Sequence, residues 1–134
     1  MAGEEDAGRA QAGFRALREG RAEDAIGALE AACSNGERGC DTYMYLGIAY
    51  AMTGAYDRAI SSLERALALK PRHAGCMYNL GVVYQKKGYR SVAVACYETA
   101  LEFDGHHQGA RAALEKLGAL QPRGRVRGES DRAV

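Results

Sequence analysis

Apolar residues recur at helical spacing along most of the chain, in paired segments that are separated by a glycine. Near the middle, Leu46 and Tyr50 precede Gly54, and Ile60 and Leu63 follow it, with successive apolar positions three or four places apart on each side. A glycine is disfavoured inside a helix, so Gly54 marks a break between two helices. Pro71 cannot continue the second helix because it lacks an amide donor. The pattern predicts a helix hairpin.

The hairpin pattern repeats when the sequence is compared with itself at an offset of 34 residues. The matching pairs include Leu46 and Leu80, Gly47 and Gly81, Tyr50 and Tyr84, Gly54 and Gly88, Ala59 and Ala93, and Ala66 and Ala100. The same offset towards the N-terminus gives a weaker third match. We therefore predict three copies, at residues 6–39, 40–73 and 74–107.

Small residues occupy matching heights on the two helices of a copy. Gly47 and Ala59 form such a pair in the second copy, and Gly81 and Ala93 form it in the third. Because these side chains are small, the two helix axes can approach closely. One hairpin cannot bury its whole apolar surface alone, so we expect successive hairpins to stack and share a core.

The segments that flank the three copies have their own patterns. Apolar positions continue at helical spacing after the third copy and predict a capping helix at 107–119, which closes a repeat domain at 6–120. The segment 121–134 is rich in charge and glycine and has few apolar residues, so we predict a disordered basic tail. Residues 1–5 are predicted to be disordered as well.

The repeats resemble the tetratricopeptide repeat (TPR) family. The second copy has the following residues in the order and spacing of the TPR consensus: Leu46, Gly47, Tyr50, Gly54, Tyr56, Ala59, Leu63, Ala66 and Pro71. The third copy departs from it at Met77 and Gly105, and the first copy is weaker, as expected of a terminal repeat. The resemblance implies an all-α fold, a right-handed α-solenoid (TPR superhelix) of three helix-turn-helix repeats with a capping helix.

The resemblance also implies a binding groove, because the first helix of each TPR repeat lines the concave face. Counting from the repeat starts gives the predicted partner-binding residues: Phe14, Met44, Ile48, Met52, Tyr78, Asn79, Val82, Gln85 and Lys86. The groove is mainly apolar, which suits an amphipathic helix or an extended peptide with apolar anchors. A competing interpretation places some of these residues, especially Phe14 and Ile48, in the core between repeats.

One TPR subclass grips the C-terminal carboxylates of chaperones with lysines, asparagines and an arginine. This chain has Phe14 and Tyr45 at two of the corresponding places and keeps only an amide, Asn79, at the position of the arginine. The sequence therefore argues against a carboxylate clamp. The Asn79 amide could bond the backbone of a peptide in the groove, or could simply be a solvated polar residue.

Charge and composition exclude several other classes of protein. The chain has 18 basic and 17 acidic residues, so its net charge of +1 gives no global field for nucleic acid or membranes. Arg123, Arg125 and Arg127 in the tail make a weak nucleic-acid hypothesis. No leader peptide or membrane span is recognisable, so we expect a cytoplasmic location, and the abundance of alanine and glycine hints at a bacterial source.

The four cysteines and three histidines show no metal-binding motif. Cys33, Cys40, Cys76 and Cys96 include no C-x-x-C pair, so the sequence predicts neither a metal site nor a cofactor, and reduced thiols are expected. Cys33 and Cys40 flank a predicted turn and leave a redox switch open as an alternative. His73 is interpreted as a solvated turn residue.

The sequence shows no recognisable nucleophile with a base, paired carboxylates or phosphate loop. It therefore predicts a protein that is not an enzyme. We predict a scaffold or adaptor that binds a protein or peptide in its groove, without a small-molecule substrate, as a monomer or weak homo-oligomer. The alternative is a self-assembling structural scaffold, because repeat arrays leave apolar edges at their ends. A nucleic-acid module that uses the arginine-rich tail is a third interpretation.

Overall fold

The chain is all-α within the residues that the structure describes. The computed structural model describes residues 2–120, with side chains from Gly8 onward. The helices are, in chain order, α1 (Ala2–Arg18), α2 (Ala22–Ser34), α3 (Cys40–Met52), α4 (Tyr56–Leu69), α5 (Ala74–Lys86), α6 (Arg90–Phe103) and α7 (Gln108–Lys116).

The helices form three hairpins that stack in sequence order. α1 packs on α2, α3 on α4, and α5 on α6, while α2 contacts α3, α4 contacts α5, and α6 contacts α7. α3 and α5 begin at Cys40 and Ala74, which are the first residues of the predicted second and third copies. The result is the all-α solenoid that the sequence predicted.

Glycines form the turn inside each hairpin. Gly20, Gly54 and Gly88 occupy equivalent places and have φ values of 76°, 82° and 90°, a left-handed conformation that strains residues with a Cβ atom. α4 ends at Leu69, two residues before Pro71, as the missing amide of proline requires. These two residue types therefore set where the helices end.

The close approach of paired helices depends on a second set of glycines. A Cβ atom added to Gly47 would lie 2.6 Å from Cγ of Leu63 and 3.2 Å from the backbone oxygen of Ala59. A Cβ atom on Gly81 would lie 2.5 Å from the Tyr97 ring. The predicted proximity of Gly47 and Ala59 is thus confirmed.

The core repeats with the same period as the sequence. In the second hairpin, Ala59, Leu63 and Ala66 of α4 are fully buried. The equivalent buried residues are Ala25, Leu29 and Ala32 in α2, and Ala93, Tyr97 and Ala100 in α6. The larger side chain of each set, Leu29, Leu63 or Tyr97, therefore lies against the glycine of the first helix, and small buried residues flank it along the second helix.

The two ends differ in how they match the sequence predictions. α1 begins at Ala2, so residues 2–5 are helical where the sequence predicted disorder. Alanine and glutamate, which favour helices, dominate this segment, and the prediction gave their propensity too little weight. α7 lies within the predicted capping segment 107–119. The predicted disordered tail at 121–134 falls outside the described residues.

Candidate functional site

The first helices of the three hairpins lie side by side and form one surface, which we call the first-helix face. α1 contacts α3, and α3 contacts α5. On this face the rings of Phe14 and Tyr45 stack with their centroids 4.8 Å apart, and the Arg18 guanidinium lies 5.8 Å from the Phe14 ring. Phe14 and Tyr45 are both half-buried. They give the N-terminal half of the face an aromatic surface that solvent still reaches.

Two side chains of α3, Ile48 and Met52, form the part of the first-helix face that belongs to the second repeat. Ile48 is half-buried and Met52, at the end of the helix, is 49% exposed. Met44 differs, because it packs against two core clusters that include Leu80 and Cys76 of the next repeat. It therefore contributes to the core between repeats, and its predicted contact with a partner stays a prediction.

A cleft of about 450 Å³ lies between α5 and α7 and ends the first-helix face. We call it the α5–α7 cleft. It brings together four of the predicted groove residues and five that the groove prediction did not include. Its lining consists of Tyr78, Val82, Gln85, Lys86, Tyr97, Gly109, Ala112, Ala113 and Lys116.

Aromatic contacts and one partly buried hydrogen bond hold the cleft in shape. The Tyr78 ring lies 5.0 Å from the His107 ring and 5.7 Å from the Tyr97 ring. Tyr97 is buried and donates its hydroxyl to Oε1 of Gln85 at 2.7 Å. Burial, with a smaller contribution from Tyr78, raises the pKa of Tyr97 to about 12. The hydroxyl of Tyr97 therefore remains a neutral donor at neutral pH and fixes the orientation of Gln85.

Asn79 is half-buried on α5, and its side-chain amide already has a partner in its own helix. Nδ2 donates to the backbone oxygen of Gly75 at 2.8 Å. The side-chain carbonyl is then the group best placed to accept a hydrogen bond from a ligand, since it is not used in that contact. A hydrogen bond from the Asn79 amide to a peptide in the groove stays a prediction.

A second cleft, of about 440 Å³, lies between the second helices α2 and α4. Tyr50 donates its hydroxyl to Oε1 of Glu30 at 2.5 Å across this cleft, and Arg58 and Arg65 line it. Burial, and then the contact with Glu30, raise the pKa of Tyr50 to about 12. The Tyr50 contact joins the first two repeats, so we interpret this cleft as part of the interface between them.

Cys40, His73 and Cys76 form a cluster at the boundary between the second and third repeats. Their sulfur atoms and an imidazole nitrogen lie within 4.8 Å of one another, and Cys40 and Cys76 are buried. His73 Nδ1 accepts a hydrogen bond from the Cys76 backbone amide at 3.0 Å and so caps α5. The sequence predicted a solvated His73 and no metal site, and missed the proximity of these three residues.

The remaining candidates from the sequence are more dispersed. Cys33 is half-buried against the core of the first repeat, and Cys96 is half-buried beside the core of the third. Burial raises the pKa of both thiols, in Cys33 against a smaller lowering by Arg38 and Arg65. The arginines of the predicted nucleic-acid hypothesis lie outside the described residues.

Comparison with known proteins identifies the repeats. A family model described as TPR repeat matches residues 47–88, and a model described as tetratricopeptide repeat matches residues 74–107. Residues 47–107 therefore contain tetratricopeptide repeats. A search of curated protein sequences gave no match.

Solved structures with the same TPR architecture cover most of the described chain. The crystal structure of MamA is 28% identical, has a TM-score of 0.72 and aligns over 83% of this chain and 67% of MamA. YrrB, described as a TPR protein with an unusual peptide-binding site, is 25% identical with a TM-score of 0.73, over 77% of this chain and 53% of YrrB. The TPR domain of Arabidopsis OM64 is 14% identical with a TM-score of 0.81, over 87% of this chain and 97% of that domain.

Among residues 2–120, no helix combines the length and the apolar character that crossing a lipid bilayer requires.

Proposed function

We propose that the chain is a non-catalytic docking scaffold that holds a segment of a partner protein on its first-helix face. The observation that carries this proposal is a set of apolar side chains that lie on neighbouring first helices and stay partly open to solvent. Phe14, Ile48 and Val82 are each only half-buried there. Contiguous apolar surface of this kind is a common mark of a protein interaction site.

The α5–α7 cleft indicates what kind of segment would fit. Its floor, formed by Tyr78, Val82 and Ala113, suits an apolar anchor side chain. Lys86 and Lys116 line the same cleft and are exposed, and no acidic side chain lines it. We therefore expect the partner segment to carry an apolar anchor next to an acidic residue, because unlike charges at the rim favour encounter and fix orientation.

The TPR relatives support this proposal at the level of the fold. YrrB, whose structure is described as having a peptide-binding site, shares the architecture over most of the chain. The chain spans about half the length of YrrB, so a partner or a binding position in that protein is not transferred here. The choice of face and of segment chemistry depends on the residues of this chain.

Selection of peptides on the immobilised chain tests the proposal. A random peptide display library is selected on the purified protein, enriched peptides are synthesised, and their affinity is measured by titration calorimetry. Val82→Glu places a charge on the cleft floor and should weaken binding by about 10-fold or more. The matched control is Val92→Glu, since Val92 is 43% exposed on α6 and does not line the cleft. The control should bind like the wild type.

A charge reversal tests the acidic part of the prediction. Lys86→Glu changes an exposed side chain of the cleft and should weaken enriched peptides that carry an acidic residue, while Lys70→Glu changes an exposed lysine outside the cleft and should not. Circular dichroism confirms that each variant keeps its helices. Equal losses in Val82→Glu and Val92→Glu, or no enrichment on the wild-type chain, would contradict the proposal.

A further inference from the structure

The cluster of Cys40, His73 and Cys76 joins two neighbouring repeats. Cys40 is the first residue of α3, His73 caps α5, and Cys76 lies in the first turn of α5. Two sulfur atoms and one imidazole nitrogen converge within 4.8 Å. No other group of three such side chains converges within the described part of the chain.

The packing of the repeats does not require these three residue types. At the next repeat boundary, Ala74 and Ala110 occupy the positions equivalent to Cys40 and Cys76, and Ala110 is fully buried there. At the previous boundary, Gly39 occupies the position equivalent to His73, and α3 begins after it without a side-chain cap. The fold thus tolerates alanine or glycine at these positions, and the three metal-binding types coincide at one boundary only among the described residues.

We propose that Cys40, His73 and Cys76 bind one Zn²⁺ ion, which joins the second and third repeats. Two thiolates and a neutral imidazole are a ligand set that zinc takes in proteins, with a water molecule in the fourth position. In tetrahedral zinc with Zn–S bonds of about 2.3 Å, the two sulfur atoms lie roughly 3.8 Å apart. The ligand atoms of the cluster are now at most 4.8 Å apart. Their separation therefore needs to shorten by about 1 Å or less.

Charge balance favours a divalent ion. On binding, each thiol releases its proton to solvent and the imidazole stays neutral, so that Zn²⁺ with two thiolates carries no net charge. A neutral complex avoids the large cost of an uncompensated charge at a site where Cys76 is fully buried. A monovalent soft ion would leave one negative charge in the same place.

Without the ion the Cys76 thiol is neutral at neutral pH. Burial, and then the neighbouring Cys40 sulfur, raise the pKa of Cys76 to about 12. His73 Nδ1 accepts the Cys76 amide, which is a cap worth about 1 kcal/mol. A zinc ion can displace this single contact because binding at sites of this kind is worth far more.

His73 is the most exposed of the three cluster residues. The imidazole is half-exposed and lies in an open depression that Lys70, Pro71 and Arg72 also line. Cys40 is 6% exposed and Cys76 is fully buried. Of the three ligands, the imidazole is therefore the one most accessible to an ion from solvent.

Zinc titration of the reduced protein, after metal removal with a chelator, tests the proposal. Competition with a chromophoric chelator should show one Zn²⁺ bound per chain. Cys40→Ala, Cys76→Ala and His73→Asn should each weaken binding by about 100-fold or more, beyond the loss seen when outer-shell partners are changed. Alanine is the residue that the next repeat boundary uses, and asparagine can still cap a helix, so these variants should fold.

Two matched controls separate ligation from general effects. His107 caps α7 as His73 caps α5, with Nδ1 accepting the Ala110 amide at 3.1 Å, but it has no cysteines beside it. His107→Asn and Cys96→Ala should both bind zinc like the wild type. Replacing Zn²⁺ with Co²⁺ should give sulfur-to-cobalt charge-transfer absorption in the wild type and in both controls.

Several outcomes would overturn the zinc site. These are the absence of one-to-one binding in the reduced wild-type protein, retained affinity in Cys76→Ala, and equal losses in His73→Asn and His107→Asn. A Cys40–Cys76 disulfide that forms under oxidant in a protein that binds no zinc when reduced would also exclude the site and identify a redox pair instead. Circular dichroism of each metal-free variant distinguishes lost ligation from lost folding.

Discussion

Single glycines decide how closely the two helices of a TPR hairpin pack. A methyl group on Gly47 would overlap Leu63, which is fully buried, and would press on the Ala59 backbone. Leu63 cannot move away, because the core around it is filled by its neighbours from the next repeat. Helix propensity alone would favour alanine at this position, so packing and propensity act in opposite directions.

We predict that Gly47→Ala lowers the free energy of unfolding by about 1–3 kcal/mol through overpacking. The matched control is Gly27→Ala, since Gly27 lies inside α2 and a Cβ atom there would meet nothing within 4 Å. This control should raise the stability by about 1 kcal/mol, which is the difference in helix propensity. Urea unfolding followed by circular dichroism measures both changes. Equal effects of the two substitutions would show that the close contact at Gly47 does not limit the packing.

At the scale of elements, α7 closes the third repeat and forms one wall of the α5–α7 cleft. Leu114 of α7 is 1% exposed and packs in the same core cluster as Tyr97 and Ala100 of α6. Val82 and Tyr78 of α5 pack against that cluster from the other side. The helix therefore supports both the core and the shape of the candidate site.

Leu114→Ala should destabilise the protein by about 2–5 kcal/mol, because it removes buried methyl groups and leaves a cavity. Leu69→Ala serves as the control, since Leu69 is 53% exposed at the end of α4, and its effect should stay within about 0.5 kcal/mol. Thermal unfolding measures both variants. If Leu114→Ala is no more harmful than Leu69→Ala, α7 is not a structural part of the core.

The elements themselves could be predicted because their signals are local and repeated. Gly54 and Gly88 mark equivalent turns, Pro71 ends α4, and the helices that follow begin where the repeat period places them. The N-terminal boundary was less predictable, because Gly3, a residue type that helices disfavour, lies in the first turn of α1.

The candidate sites were harder to predict, because they depend on contacts between elements. The cleft exists through the position of α7, and the bond from Tyr97 to Gln85 joins two helices within it. A search for C-x-x-C pairs finds cysteines that are neighbours in sequence, whereas Cys40 and Cys76 meet because α3 and α5 lie side by side. Comparing the residues at equivalent repeat boundaries would have found this signal.

At the scale of the whole molecule, the repeats differ in how many neighbouring repeats they pack against. The second repeat packs against a neighbour on each side, and its core clusters extend into both. Within residues 2–120 the first repeat packs against one neighbouring repeat, and α1 contributes mainly small side chains to its core, such as Ala10 and Ala16. In a repeat array, stability is close to a sum of the repeats and their nearest-neighbour interfaces. The array should therefore open from its N-terminal end before its centre.

Native-state hydrogen exchange tests this order. After correction for intrinsic rates, we predict that the amides of α1 exchange fastest and those of α3 and α4 slowest, because opening the middle repeat breaks two interfaces and opening α1 breaks one. The amides of α6 should exchange at intermediate rates, since α7 packs on the side of α6 that faces away from the second repeat. Leu46→Ala supplies the control: Leu46 belongs to the core cluster that α2 shares with α3, so its loss should speed exchange in α1 and α2 and leave α6 unchanged. Uniform protection from α1 to α6 would mean instead that the solenoid unfolds as one cooperative unit.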